Sequence, residues 1–123
     1  GHVYGDEALR KIAQLFLSNL RKSDVLARYG GEEFVIILSE TSLGPSRDIC
    51  ERLRQSIENA SFQGQKQEAF LTVSVGMAAF PEDGTTSEQL IKAADASLYA
   101  AKQAGRNRVM YQPASHEESF FVT

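Results

Sequence analysis

The stretch Arg28-Tyr29-Gly30-Gly31-Glu32-Glu33-Phe34 lies between two apolar runs and sets the fold prediction. Residues 25–27 read Val-Leu-Ala, and residues 34–38 read Phe-Val-Ile-Ile-Leu. Two apolar runs joined by Gly-Gly predict a β-hairpin, because both central positions of a tight primed turn need positive φ. The glycines would also let a ligand approach the backbone closely, since no Cβ intrudes.

The predicted tip of this hairpin carries two adjacent carboxylates, Glu32 and Glu33. Hard oxygen ligands are what a divalent cation such as Mg²⁺ prefers, so the tip is a candidate metal site. A solvated acidic turn is the more ordinary explanation of these residues taken alone. The other motifs of the chain distinguish a metal site from a solvated acidic turn.

Apolar residues recurring every three or four positions predict helices over residues 6–21, 45–59 and 87–103. Thr86 followed by Gln89 is a capping-box signal for the last of these, one residue out of step with the equally plausible Thr85 and Glu88. Gly105 is expected to end that helix.

Alternation of apolar and small polar residues predicts a half-buried strand over 69–80, and residues 108–111 predict a short last strand. Residues 59–68 are polar and are predicted to form a loop. The order of helix, hairpin, helix, strand, helix and strand predicts an α+β sandwich, with helices packed on a mostly antiparallel sheet. This order offers no obvious first, central strand for the sheet.

Length and composition exclude some classes of protein. The 123 residues suit a single hydrophobic core, and the net charge of −3 argues against a protein that coats a nucleic-acid polymer. The one cysteine, Cys50, cannot form an internal disulfide and is expected to be a small buried residue. The chain contains neither a signal-peptide pattern nor an apolar run of about 18 residues, so we expect a cytoplasmic domain.

Five stretches follow one family pattern in chain order. Residues 1–9 follow G-H-x-x-G-D-x-x-L, residues 28–34 follow the signature R-Y-G-G-D-E-F with Glu in place of Asp, residues 72–76 follow T-V-S-I-G, residues 94–102 follow A-D-x-A-L-Y-x-A-K with Ser97 in place of its second alanine, and residues 105–109 follow G-R-N-R-V. Together they resemble the GGDEF family, the diguanylate cyclases of bacteria. The resemblance implies a palm-like nucleotide-cyclase fold over residues 1–111. Residues 112–123 show no clear period and are expected to form a mobile tail.

The activity that the resemblance implies is the joining of two GTP molecules into cyclic di-GMP with release of two pyrophosphates. Each subunit of a homodimer would hold one GTP. A pair of divalent metal ions, Mg²⁺ or Mn²⁺, would activate the attacking hydroxyl and neutralise triphosphate charge.

The resemblance also assigns roles at the hairpin. Glu32 is implied as a metal ligand and candidate general base, with Glu33 as its supporting neighbour. Gly30 and Gly31 are implied to let the backbone lie against the nucleotide.

Three further residues are implied in GTP binding. Asp6 would accept hydrogen bonds from the guanine edge, although acids in a first helical turn also serve the helix dipole. Lys102 and Arg106 would hold the terminal phosphates, although cations at a helix C-terminus have the same alternative explanation.

Arg21 and Asp24 form an R-x-x-D pattern separated from Gly30 by five residues, the offset of the family's product-inhibition site. An arginine grips phosphate and a guanine edge with a fixed fork, and the carboxylate would take guanine donors. Arg52 matches the secondary arginine of that site.

One departure from the family concerns the start of its domain. The family's first strand carries D-x-D-x-F-K, with a metal-binding aspartate, and this motif is not among residues 1–123. We therefore expect a parent protein with a sensory or regulatory region upstream, for which an anchor in the inner membrane is one option, and we expect these residues alone to be inactive. The alternatives are a catalytically degenerate module that binds cyclic di-GMP and a dimerisation or relay unit.

Overall fold

The computed structural model describes residues 5–63 and 68–113. Residues 1–4, which open the first motif, and most of the predicted tail lie outside the described residues. Three helices and six strands are described: α1 Asp6–Ser18, β1 Val25–Arg28, β2 Phe34–Ile37, α2 Leu43–Glu58, β3 Ser61–Gln63, β4 Glu68–Phe70, β5 Val75–Met77, α3 Ser87–Gln103 and β6 Val109–Tyr111. The chain divides into two compact units, Gly1–Val73 and Ser74–Thr123.

In the first unit, α1 and α2 pack together over an apolar core. Five buried side chains form its centre: Ile12, Phe16, Leu53, Ile57 and Phe62. The helix α1 ends at Ser18, three residues before the predicted end, because the Asn19 side chain donates to the Leu15 carbonyl at 2.8 Å and begins a turn. Cys50 is buried in α2 as expected, and burial raises the pKa of its thiol to about 11.

The predicted hairpin is present, with β1 and β2 antiparallel and Arg28 opposite Phe34. Its inner face packs on the core, where the rings of Phe34 and Phe16 meet edge to face at 5.7 Å. Its outer face carries Val25 opposite Ile37, with exposed fractions of 50% and 56%. This alternation fixes the register, since a slip of one residue would exchange the two faces.

The predicted primed turn is wrong. Residues 29–33 form a five-residue connection, and neither Gly30 nor Gly31 has a left-handed φ. The prediction extended the strands over about 25–30 and 33–38, whereas the backbone pairing stops at Arg28 and Phe34.

The segment after α2 also differs from its prediction. The expected loop over 59–68 contains β3, which pairs with β4. The expected single strand over 69–80 is broken, because Leu71 and Val73 pack on the core of the first unit while β5 begins at Val75 in the second. Alternation reports which side chains are buried, and it does not identify the partner of each half.

In the second unit, β5 and β6 form a parallel pair against α3. A Cβ at Gly76 would lie 2.2 Å from the Leu98 nitrogen and 2.3 Å from the Ala94 oxygen, so β5 approaches the helix backbone more closely than any side chain allows. The capping box is formed by Thr86 and Gln89, which confirms one of the two predicted registers. Gly105 ends α3 with a φ of 120°.

The observed architecture confirms the predicted α+β class, with two antiparallel strand pairs and one parallel pair among the described residues. Within that same part of the chain, each helix is too short or too polar to cross a membrane.

Candidate functional site

The loop at the tip of the hairpin is held by its own backbone and by Arg28. The Tyr29 and Gly30 N–H groups donate to the Glu33 carbonyl at 2.8 and 3.4 Å. The Arg28 Nε donates to the carbonyls of Gly30 and Gly31 at 3.3 and 3.2 Å, and its Nη2 also donates to Gly31. Arg28 was assigned no role from the sequence. The signal for its loop contacts is a guanidinium directly before a loop whose carbonyls lack backbone partners.

The two glycines of this loop are not required by the protein's own packing. A Cβ at Gly31 would meet nothing within 4 Å, and a Cβ at Gly30 would come nearest to the flexible Glu33 carboxylate, at 3.2 Å. Since neither has a left-handed φ, the fold itself would accept a side chain at Gly31. Gly31 therefore has open space beside its backbone at the hairpin tip.

Glu32 and Glu33 are both exposed at the tip. Their oxygens are the donors that Mg²⁺ and Mn²⁺ accept, and Mg²⁺ is commonly bound by one or two carboxylates together with substrate phosphates. No group of three or more His, Cys, Asp or Glu side chains that could hold a metal ion occurs in the described part of the chain. The two exposed carboxylates of the tip are of the number that Mg²⁺ commonly takes from a protein when substrate phosphates supply further ligands.

An open groove of about 450 Å³ runs between the start of α1 and the hairpin. Asp6 and Arg28 line it with apolar side chains between them, so the structure brings the predicted guanine-binding acid and the arginine of the loop to one groove. Its full lining is Asp6, Leu9, Arg10, Ala13, Leu26, Arg28 and Phe34. Asp6 is exposed in the first turn of α1, where its carboxylate also complements the helix dipole.

Arg21 and Asp24 form a clasp at the base of the hairpin. The Asp24 carboxylate is 1% exposed and accepts from the Arg21 backbone N–H at 2.8 Å, from its guanidinium at 3.0 and 3.2 Å, and from the Ser39 N–H at 3.3 Å. The Arg21 side chain is 52% exposed and also reaches the Ser39 carbonyl at 2.9 Å. The hydrogen bonds from Arg21 hold the pKa of Asp24 below its usual range.

Within the predicted R-x-x-D site, the two residues differ in how accessible they are to a ligand. Asp24 already accepts hydrogen bonds from its own chain, whereas the Arg21 guanidinium keeps an exposed surface. Arg52 is exposed on α2, and it forms no ion pair with any described residue.

The two predicted phosphate-binding cations lie at the end of α3 in the second unit. Lys102 is in the last turn of the helix, and Arg106 follows it in a left-handed conformation with a φ of 64°. Both side chains are exposed, and neither is paired with a carboxylate in the described residues. Their charges are therefore available to an anion at this helix end.

Residues 1–108 match the family described as diguanylate cyclase, GGDEF domain. The chain belongs to the GGDEF family. Among its relatives, Diguanylate cyclase A of Treponema denticola is 38% identical over 109 residues, which are 89% of this chain and 29% of that protein. This GGDEF chain thus spans less than a third of the length of that relative.

Solved GGDEF domains have the same fold. The active GGEEF domain of a diguanylate cyclase from Vibrio cholerae gives a TM-score of 0.74 at 30% identity, covering 94% of this chain and 72% of that one. The GGDEF domain of DgcB from Caulobacter crescentus in complex with c-di-GMP gives 0.78 at 29% identity, covering 86% and 63%. The family match ends at residue 108, and the domain end at 111 stays a prediction.

Proposed function

We propose that this chain supplies one half of a diguanylate cyclase site, which condenses two GTP molecules into cyclic di-GMP and two pyrophosphates. The observation that carries the proposal is the G-G-E-E-F tip, where two exposed carboxylates adjoin a glycine that the fold does not need. The V. cholerae domain that is called active carries the same G-G-E-E-F form, which supports Glu in the place of the family's Asp.

The reaction needs two facing sites. In each, the 3′-hydroxyl of one GTP attacks the α-phosphorus of the other, a new phosphodiester bond forms, and the bond to the pyrophosphate breaks. The hydroxyl proton passes to a base and the pyrophosphate leaves with the electron pair. A homodimer with one GTP in each subunit meets this requirement, and we propose that arrangement.

A divalent ion, Mg²⁺ or Mn²⁺, would neutralise charge on the triphosphate when bound. We propose that Glu32, which the family resemblance implies as the metal ligand, holds it, with Glu33 in support. We also propose Glu32 as the base that accepts the hydroxyl proton. Arg28 keeps the loop carbonyls of Gly30 and Gly31 occupied, so the tip retains its shape when a polyanion approaches.

The base and the phosphates have separate proposed contacts. The Asp6 carboxylate at the groove accepts from guanine N1–H and the exocyclic amine, a pair of donors that adenine does not present. Lys102 and Arg106 hold the terminal phosphates, and both are exposed and lack a protein carboxylate in the described structure.

Product inhibition is proposed at Arg21, Asp24 and Arg52. Because the Asp24 carboxylate is buried and the Arg21 guanidinium is half exposed, Arg21 makes the direct contact with cyclic di-GMP and Asp24 orients it. The complex of the DgcB domain with c-di-GMP supports a product-binding surface in this fold.

A second candidate is a module that binds cyclic di-GMP without turnover. It is favoured by the Arg21 side chain, which is 52% exposed at the proposed product site, and residues 1–123 contain no D-x-D-x-F-K motif to supply another aspartate. On this basis we propose that the 123 residues by themselves turn over GTP weakly or not at all. A location in the cytoplasm, where GTP is found, belongs to both proposals.

Release of pyrophosphate from GTP with Mg²⁺ or Mn²⁺ tests the assignment. The 123 residues alone are expected to give little turnover, and the same residues preceded by a D-x-D-x-F-K strand segment are expected to produce cyclic di-GMP. Robust turnover by the 123 residues alone refutes the first expectation. Absence of turnover in the extended chain, with cyclic di-GMP binding retained, favours the binding module.

A further inference from the structure

Three consecutive residues after α3 adopt positive φ, and two of them are not glycine. The angles are 120° at Gly105, 64° at Arg106 and 48° at Asn107. A left-handed conformation is unfavourable for a residue with a Cβ, and arginine lacks the short polar side chain by which asparagine offsets the cost, so contacts around the turn must hold Arg106.

The peptide group between Arg106 and Asn107 is fixed at both of its ends. Its carbonyl accepts from the Arg108 Nε at 3.0 Å, and its N–H donates to the Ser74 Oγ at 3.1 Å. The preceding peptide is fixed as well, because the Arg106 N–H donates to the Ala101 carbonyl at 2.9 Å. With both flanking peptides held, the direction of the Arg106 Cα–Cβ bond is set.

The anchor of this turn lies on a different element from the turn itself. Ser74 directly precedes β5, and the adjacent Val75 N–H donates to the Arg108 carbonyl at 2.9 Å. The parallel pairing of β5 with β6 therefore places a hydroxyl under the turn.

We propose that Ser74 is a positioning residue, whose hydroxyl holds the Arg106–Asn107 peptide and thereby aims the Arg106 guanidinium at the terminal phosphates of GTP. The inference rests on the phosphate-binding role proposed above for Arg106. It adds that a residue with no contact to the nucleotide strengthens the preference for a triphosphate over a monophosphate.

The test compares the affinities of the full chain for GTP and for guanosine monophosphate in Ser74→Ala and Ser74→Thr. Loss of one hydrogen bond is expected to weaken GTP binding by about fivefold and to leave the monophosphate unchanged. Ser74→Thr keeps a hydroxyl and is expected to restore GTP binding. Ser97→Ala is the matched control, because Ser97 accepts the Gln112 N–H at the same 3.1 Å in the same unit and lies away from the turn.

The rate of amide hydrogen exchange at Asn107 measures directly how firmly the turn is held. This rate is expected to rise in Ser74→Ala and not in the variants that keep the Ser74 hydroxyl. If Ser74→Ala fails to fold, Arg108→Lys, which keeps the charge and loses Nε, is expected to reduce the GTP preference in the same way. An unchanged ratio of GTP to monophosphate affinity, or an equal loss of both, would overturn the proposal.

Arg106→Ala separates this inference from the function on which it rests. It is expected to reduce the preference for GTP over the monophosphate at least as much as Ser74→Ala does. If it does not, the phosphate role of Arg106 fails and the aiming role of Ser74 falls with it, while exchange at Asn107 still decides whether Ser74 holds the turn.

Discussion

The Arg21 guanidinium meets the Asp24 carboxylate in a two-point contact, from Nε to Oδ2 at 3.2 Å and from Nη2 to Oδ1 at 3.0 Å. The same pair reaches Ser39 just beyond β2, so it ties together the two ends of the hairpin whose tip carries Glu32. One short motif therefore has a structural role in addition to the proposed product site.

Arg52 allows the proposed product-binding role of this site to be separated from its structural role. Arg52→Ala is expected to lower cyclic di-GMP affinity about tenfold without changing the melting temperature, because it removes an exposed charge that forms no ion pair in the described structure. Arg21→Ala is expected to lower both, since it leaves the buried Asp24 carboxylate without its main donor. Calorimetry and thermal unfolding measure these effects, and equal product binding by Arg21→Ala and the unaltered chain would remove the inhibitory-site proposal.

The clasp should also give stability an acid dependence. The pKa of Asp24 is lowered in the folded state, so its contribution to the free energy of unfolding is fully present above about pH 4, the ordinary aspartate value, and is lost as pH falls through the lowered pKa. Urea unfolding at a series of pH values is expected to show a smaller acid loss in Asp24→Asn. Glu51, whose pKa is lowered by Arg54, titrates in both chains, so the difference between them isolates Asp24. Parallel curves for the two chains would contradict the assignment.

Two glycines form a matched pair with opposite expectations. Gly76→Ala is expected to destabilise the fold by about 3 kcal/mol or more, because its Cβ would meet the backbone of Leu98 at 2.2 Å. Gly31→Ala is expected to leave stability unchanged, since its Cβ meets only open space. It is expected to weaken GTP binding, because the added methyl group would lie where the nucleotide is proposed to approach the backbone. Urea unfolding and GTP titration measure both variants. A stable Gly31→Ala that binds GTP as well as the unaltered chain would show that the nucleotide does not approach this glycine.

Ser97 replaces an alanine of the family pattern, and its hydroxyl forms a hydrogen bond that alanine could not form. Its hydroxyl is fully buried in α3 and accepts the Gln112 N–H at 3.1 Å, which fastens the chain just after β6. Ser97→Ala is expected to lower the free energy of unfolding by about 1 kcal/mol and to speed amide exchange at Gln112. Unchanged exchange at Gln112 would mean that the residue after β6 is held by something else.

Local rules predicted α3 well, because its boundaries depend on Thr86, Gln89 and Gly105 in the chain next to it. They failed at 69–80, where the two halves of one alternating run belong to different compact units. They also misjudged the hairpin turn, since the loop depends on the Arg28 guanidinium and on pairing that stops at Phe34.

The candidate site was predicted mainly through the family resemblance. The sequence identified Asp6 and the hairpin, and the structure brings Asp6 and Arg28 to the same groove. No pattern indicated that Ser39 would help to enclose the Asp24 carboxylate or that Ser74 would hold the turn at Arg106, because these contacts join positions 15 and 33 residues apart in the chain.

The central claim is that Glu32 holds a metal ion against GTP at the hairpin tip. Titration of GTP with and without Mn²⁺, on the unaltered chain, Glu32→Gln and Glu33→Gln, tests it most directly. We predict that Mn²⁺ strengthens GTP binding to the unaltered chain, that Glu32→Gln loses most of this gain, and that Glu33→Gln keeps most of it. A gain from Mn²⁺ that survives in Glu32→Gln would contradict the account.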